Sequence, residues 1–276
     1  MSTILQKEKL SDKVCRFVID APYIAKSRKP GHFIILRTDP KGERIPLTIA
    51  SADKEQGTLT LIVQNVGVTT NKLCNMEVGE KLSDVVGPLG QATHIAKKGT
   101  ILACGGGVGI APLLPIVEGF QKAGNRVITV LAARTKNLIM LEKEIRRWSD
   151  EVVIMTDDGS YGEKGLVTQG AEKVINREKI DECITIGPAI MMKYTALLTK
   201  KYHIPTQASL NSIMVDGTGM CGACRVTVGG KTRFTCIDGP EFNAHEIDFD
   251  ELLKRLGGYA EEEKAAYERF LASEKK

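Results

Sequence analysis

An antiparallel β-barrel, then a parallel α/β sheet, then a metal-binding loop and a helical tail is the architecture this sequence predicts, and three observations predict it. Residues 1–97 carry short apolar stretches separated by Pro, Gly and charged residues, the spacing of small antiparallel strands. From Thr100 onward strand-like runs alternate with helix-like ones, the pattern of a parallel sheet wound with helices. Near the C-terminus three cysteines and an aspartate crowd into one Gly-rich segment. The boundaries read from these changes are 1–97 for the barrel, 98–208 for the α/β domain, 209–247 for the loop and 248–276 for the tail.

Within the barrel, strands are expected over Val14 to Ile19, His32 to Arg37, Arg44 to Ala50, Thr58 to Gln64 and Lys81 to Val86. In the α/β domain they fall at Thr100 to Cys104, Val127 to Ala132, Val152 to Thr156 and Cys183 to Ile186, with a helix over Leu113 to Ala123. A last run, Thr206 to Leu210, leads the chain into the loop. In the tail, Leu252, Leu253 and Leu256, then Tyr267, Phe270 and Leu271, recur at helical intervals and predict helices packed outside the sheet or against a partner.

At 276 residues the chain can hold two compact domains and an appendage. Lys plus Arg number 38 against 34 Asp plus Glu, and this excess is spread without a polybasic block, so neither nucleic acid nor a membrane surface is implied. The absence of an apolar leader and of a bilayer-length apolar run reads as a cytoplasmic protein. Seven cysteines without a signal peptide point to reduced thiols and metal binding over disulfides. Cys15, Cys74, Cys104 and Cys183 stand alone in apolar runs and read as small buried hydrophobes. His32, His94, His203 and His245 are scattered without metal-ligand spacing.

The chemistry concentrates in Asp216-Gly-Thr-Gly-Met-Cys221-Gly-Ala-Cys224, followed by Cys236. A plant-type [2Fe-2S] centre uses the spacing C-x4-C-x2-C and a distant fourth Cys. This chain matches it with Asp216 in the first position, an oxygen donor at one iron. Gly217, Gly219, Gly222 and Ala223 leave room for the backbone to wrap inorganic sulfide. Zinc is a second reading of the same donors, and Asp216 also suits a plain turn beside Gly217.

Strand Thr100 to Cys104 runs into Gly105-Gly106-Gly107-Val108-Gly109-Ile110-Ala111-Pro112. A Gly-rich turn feeding a helix N-terminus presents backbone N–H groups and the helix dipole to a pyrophosphate, and Pro112 suits a first helical turn. A tight strand-to-helix turn with no ligand is the alternative reading. The segment departs from the Rossmann fingerprint, because Pro112 replaces the third Gly and Ala133-Arg134-Thr135 ends the second strand without a carboxylate. After the third strand, Asp157, Asp158 and Gly159 either hold an adenosine ribose and repel a 2'-phosphate, favouring NADH, or simply form a turn. The fourth strand ends in Gly187-Pro188-Ala189, small enough for a nicotinamide to approach.

Together these segments resemble the ferredoxin-NADP reductase superfamily over nearly the whole chain and in the expected order. Arg44, Pro46, Leu47 and Thr48 look like its flavin-binding Arg-x-x-Ser/Thr motif, and Gly67, Val68, Thr69 and Thr70 like its flavin phosphate motif. Gly87-Pro88-Leu89-Gly90 matches the turn ending its FAD barrel, Ile62 is implied at the flavin, and Gly105 to Pro112 is similar to its nicotinamide-nucleotide motif. The C-terminal loop narrows the resemblance to electron-transfer subunits such as that of dihydroorotate dehydrogenase, which has four Cys ligands. Asp216 departs from that pattern and is expected in the small subunits of NADH-dependent ferredoxin:NADP+ oxidoreductases, also called sulfide dehydrogenase subunits. The resemblance implies FAD, a [2Fe-2S] cluster and NAD(H), with electrons passing from NADH through FAD to the cluster. It implies no side-chain acid or base. It further implies a heterodimer with a large flavoprotein subunit carrying FAD and [4Fe-4S] clusters, which would bifurcate electrons and reach ferredoxin. The readings set beside it are the dihydroorotate dehydrogenase subunit and a zinc-stabilised nucleotide-binding regulatory module.

Overall fold

Strands β1 (Ser2–Ser11), β2 (Val14–Asp20), β3 (Phe33–Arg37), β4 (Ile45–Asp53), β5 (Thr58–Gln64), β6 (Lys81–Leu82) and β7 (Asp84–Leu89) pair antiparallel in the order β6-β1-β2-β5-β4-β3-β7. They form the barrel of a computed structural model that describes residues 2–273. Alternation drives its closure: Phe17 and Ile19 on β2, Leu59, Leu61 and Val63 on β5, and Ile34 and Leu36 on β3 all point into one apolar core. Helices α1 (Pro22–Ser27) and α2 (Val68–Asn75) cross its ends. Strand β1 escaped the sequence reading because Ile4 is its one buried residue and Lys7, Glu8 and Lys9 crowd its middle, so no alternating apolar signal exists. The run Lys81 to Val86 proves to be two strands, broken at Ser83, whose N–H donates to Arg37 O.

The second unit runs β8 (Thr100–Gly106), α3 (Ile110–Lys122), β9 (Arg126–Ala133), α4 (Glu142–Trp148), β10 (Glu151–Thr156), β11 (Glu163–Lys164), α5 (Val167–Ile175), β12 (Glu182–Ile186), α6 (Ala189–Lys201) and β13 (Thr206–Ser209). Beyond it lie the hairpin β14 (Arg225–Val228) and β15 (Lys231–Phe234), α7 (Thr235–Asp238), β16 (Glu241–Asn243), α8 (Phe249–Leu256) and α9 (Ala260–Ser273). Sheet order is β11-β10-β9-β8-β12-β13-β16, parallel throughout except where β16 returns antiparallel beside β13. The cysteine-bearing segment therefore contributes an edge strand to the α/β sheet. From β8 the chain winds outward one way through β9 and β10 and the other way through β12 and β13. That reversal opens a crevice at the C-terminal ends of β8 and β12, where ligands bind in open α/β sheets.

Two apolar contacts weld the units. Val14, Ala50 and Ile62 of the barrel pack with Ile110, Ala111 and Leu131 of the α/β unit. On another barrel face, Phe33 and Ile35 pack with Met214, Cys224 and Cys236. The tail forms the expected helices. Phe249 and Leu252 bury α8, whereas α9 buries no side chain fully and reaches α2, where Asn71 Nδ2 donates to the Tyr267 hydroxyl at 3.3 Å. Among the described residues no helix is long and apolar enough to cross a membrane.

Candidate functional site

A cavity of about 1260 Å³ opens between the two units. That exceeds the roughly 300–1,000 Å³ of a single small-molecule pocket. The barrel lines it with Phe33, Pro46, Leu47, Thr48, Ile62 and Gln64, and the α/β unit with Gly106 to Gly109, Ala111, Pro112, Gly187 and Pro188. Met214 and Pro240, on either side of the cysteine loop, close a third wall.

The Gly-rich turn is shaped by proximity. A Cβ on Gly109 would lie 2.5 Å from Ile186 O and 2.7 Å from Gly187 Cα, so the turn after β8 and the end of β12 lie in backbone contact that admits no side chain. Gly107, at φ +55°, has open space where its Cβ would stand. One glycine is needed for packing and the other for a left-handed turn facing the crevice. Gly105 packs inward, under Leu113 and Ile110.

Arg134 and Asp157, just past the ends of the paired strands β9 and β10, also line the cavity. The neighbouring Asp158 turns away. Its carboxylate accepts from Ser160 Oγ at 2.7 Å and Ser160 N at 2.9 Å, bonds that lower its pKa, and Gly159 at φ +75° completes that turn. Sequence reasoning had no means of separating these adjacent carboxylates.

Residues Gly67, Val68, Thr69 and Thr70 open α2 outside the cavity. Thr70 Oγ1 accepts from Gly67 N at 2.9 Å and Val66 N at 3.0 Å, and Thr69 Oγ1 donates to Glu43 Oε2 at 2.8 Å. The hydroxyls thus brace the helix start, and a Cβ on Gly67 would meet nothing within 4 Å. The expected Gly87 to Gly90 turn is instead the end of β7, with only Gly90 beyond the strand, and it lies off the cavity: a Cβ on Gly90 would meet the Phe33 ring at 2.8 Å and Gly239 O at 3.1 Å, so it seats the barrel end against the cysteine segment. Arg44 points the same way, its Nε donating to Val215 O at 2.8 Å and its Nη2 to Asp216 O at 3.2 Å.

The cysteine loop holds its donors as two pairs. Cys224 and Cys236 are each 2% exposed, with their sulfurs 3.2 Å apart. Burial first, and then Cys224 alongside, push the Cys236 thiol up to about 12. The Thr235 hydroxyl and N–H both hold Cys224 O, at 3.0 and 3.1 Å. In the other pair, the Asp216 carboxylate accepts from the Thr218 hydroxyl, from Met220 N at 3.0 Å and from Cys221 N at 3.4 Å, and Cys221 is exposed. The Thr218 hydroxyl above all, with these backbone donors, holds the carboxyl at about 2. Gly217, Gly219 and Gly222 all take positive φ, and among them the N–H groups of Thr218, Met220 and Cys221 turn onto the Asp216 carboxylate. Among the described residues no three His, Cys, Asp or Glu donors converge on one point.

Two protein families match the chain where these features lie: the oxidoreductase FAD-binding domain over residues 2–94, and the iron-sulfur cluster binding domain of dihydroorotate dehydrogenase B over residues 211–248. The chain is 48% identical to a dihydroorotate dehydrogenase B (NAD+) electron transfer subunit homologue of Thermotoga maritima, across 98% of this chain and 96% of that one. It belongs to the family of dihydroorotate dehydrogenase B electron transfer subunits and their homologues. Among solved structures, that of an NADH-dependent reduced ferredoxin-NADP oxidoreductase, described for flavin-based electron bifurcation, aligns with a TM-score of 0.94 and 47% identity over 98% of each chain. A ferredoxin NADP+ reductase from Neisseria gonorrhoeae shares the fold alone, with a TM-score of 0.57 and 17% identity over 72% of this chain and 89% of that one.

Sequence reasoning missed part of what this family member presents at its cavity. Leu166 and the α6 residues Ile190, Tyr194 and Leu197 line the mouth while remaining 46–57% exposed. The last three recur at i, i+4 and i+7, one stripe of α6 that faces the cavity instead of the core. An exposed apolar stripe just after Gly187-Pro188 was the signal available. Gln64, Met214 and Pro240 carry no such mark, because only the packing of the two units brings them to the site.

Proposed function

We propose that this chain is the NADH-facing electron-transfer subunit of an oxidoreductase complex of the NADH-dependent ferredoxin:NADP+ type, joined to a larger flavoprotein subunit in which bifurcation and exchange with ferredoxin would take place. The observation that carries the reading is a shared wall: Phe33 and Met214 line the cavity and also pack with Cys224 and Cys236. A flavin in the cavity and a cluster in the loop would therefore be separated by little more than these side chains. Bound FAD converts the electron pair of a hydride into the single electrons an iron-sulfur cluster takes.

The residues present fit these groups. Pro46, Leu47, Thr48, Ile62 and Gln64 offer a mostly apolar face for a flavin ring, and the first turn of α2, beyond the cavity, offers the N–H groups of Val68, Thr69 and Thr70 to its pyrophosphate. Gly106 to Gly109, Ala111, Pro112, Gly187 and Pro188 form the opposing face, where short side chains and glycines leave room for a nicotinamide ring beside the flavin. Arg134 is placed to hold the dinucleotide's phosphates and Asp157 its adenosine ribose, which a 2'-phosphate would contest. In the loop, Cys224 and Cys236 would share one iron and Asp216 and Cys221 the other. The carboxylate carries the same single charge as the thiolate it replaces, with a harder donor. The seven free thiols suit a reducing cytoplasm.

Anaerobically purified protein should hold FAD and a [2Fe-2S] cluster in equal amounts. Cys221→Ala, Cys224→Ala and Cys236→Ala should each lose the cluster and keep FAD. Full iron content in any of them removes that residue from the ligand set, and a colourless, zinc-loaded protein would overturn the reading. The name of the Thermotoga relative favours a second reading, delivery to a dihydroorotate-oxidising partner. Cofactor content and substrate of the copurified large subunit separate the two.

A further inference from the structure

We propose that Arg44 is a positioning residue for the cluster, a guanidinium clamp that fixes the backbone of Asp216 from the position just before β4, the strand that forms the flavin face. The inference rests on Asp216 serving as an iron ligand, as proposed above. Arg44 is more than 170 residues away in sequence, yet its fork meets two consecutive carbonyls of the loop, Val215 O and Asp216 O. Such a two-point contact sets direction as well as distance, which a lysine cannot reproduce.

The loop needs this tether. Its second half is held from within by Thr235 on Cys224 O. Its first half stands out in solvent, with Val215 49% and Met220 88% exposed. Beside the clamp, Gly217 lies so close to the barrel that a Cβ there would stand 2.7 Å from Ile35 Cγ1 and 2.8 Å from Leu89 Cδ1. Arg44 and Gly217 together pin residues 215–217 to the barrel wall. The Asp216 side chain is oriented by Thr218, Met220 and Cys221 while its main chain is oriented by Arg44.

The start of β4 thereby becomes a junction. Glu43 accepts from Thr69 at the opening of α2, Arg44 donates to the cluster loop, and Pro46 to Thr48 line the cavity between them. Arg44 itself does not line the cavity, which sets it apart from the flavin-binding residues beside it. Its charge also matters. A cation near the Asp216-bound iron favours the more negative, reduced cluster, so removing it should lower the potential.

The test uses the full chain purified anaerobically, with Arg44→Gln, Arg44→Lys and Asp216→Ala, measuring FAD content, iron release to a chelator, the spectrum of the reduced cluster and its midpoint potential. Arg44→Gln should keep FAD, hold iron about 10-fold or more less tightly, and titrate at a lower potential. Arg44→Lys keeps the charge but not the fork, so it should lose iron faster than the parent with its potential near the parental value. It also serves as the readout if the Gln variant does not fold. Loss of FAD with parental cluster behaviour would make Arg44 a flavin phosphate residue, and parental behaviour of both cofactors would make the contact idle; either result overturns the clamp. A parental cluster in Asp216→Ala sinks the ligand reading instead, whereas a defective Asp216→Ala beside a parental Arg44→Gln sinks the clamp alone.

Discussion

Gly109→Ala is the sharpest test of the proposed nicotinamide face, because the change adds one methyl group and nothing else. Gly109 sits at φ −61°, ψ −12°, an ordinary helical conformation, so alanine incurs no dihedral strain there and on backbone grounds alone would stabilise by about 0.5–1 kcal/mol. Sterics oppose this. The new Cβ would meet Ile186 O at 2.5 Å and Gly187 Cα at 2.7 Å, atoms of a sheet end that no rotamer change can move aside. Overpacking of this kind costs about 1–3 kcal/mol, so it outweighs the backbone gain, and the turn after β8 must part from the end of β12. Thermal unfolding should fall by a few degrees, at about 2–4 °C per kcal/mol for a chain of this size. Because the parted segments carry Gly106 to Gly109 and Gly187, flavin reduction by NADH should slow by up to about 100-fold, as misplacements near 1 Å do. FAD and iron content should be unchanged. Gly107→Ala is the comparator: it meets open space but must hold φ +55°, so it loses about 1–2 kcal/mol through the backbone alone. Stopped-flow reduction and thermal melts read both variants. A Gly109→Ala protein as stable and as fast as the parent would refute the idea that close backbone contact builds this face.

Asp157→Asn should cut the preference for NADH over NADPH by about tenfold, equivalent to ~1.4 kcal/mol at the ribose, while Asp158→Asn, whose carboxylate serves its own turn, should change it little. Equal effects of the two substitutions in flavin-reduction assays at matched nucleotide would dismiss the assignment. Glu241, which accepts from Thr93 Oγ1 at 2.6 Å, is pushed up to about 7 from 4.5, first by burial and then by Glu182, against the Thr93 bond and Lys98. The folded chain therefore keeps a proton that the unfolded chain has lost across that window, so stability falls as pH rises from about 4.5 to 7 and levels off above, by up to about 3 kcal/mol. Glu241→Gln should flatten this slope in denaturant titrations at successive pH values, and an unaltered slope counts against Glu241 as its source.

The sequence by itself determined whatever depends on near neighbours. A short apolar stretch between turn residues marked β5 at Thr58–Gln64 to the residue, and the Gly-rich run after Thr100 announced a strand turning into a helix, because those signals are written within a few positions. The spacing of Asp216, Cys221 and Cys224 is likewise local, and it picks out these donors without reference to any other segment of the chain. What only the tertiary structure decided is which of these pieces meet. Ile62 and Gln64 face Gly106 to Gly109 because two sheets pack through Ala50, Ile110 and Ala111, and no periodicity within either sheet encodes that contact. The same holds for Asp157 and Asp158, chemically identical neighbours separated by the turn that engages one of them. It holds most of all for Arg44, whose sequence motif points to a flavin phosphate while its guanidinium lies on the carbonyls of Val215 and Asp216. A one-dimensional pattern records what each residue asks of its own backbone. The partner that answers a long charged side chain is chosen by the packing of segments far apart in the chain.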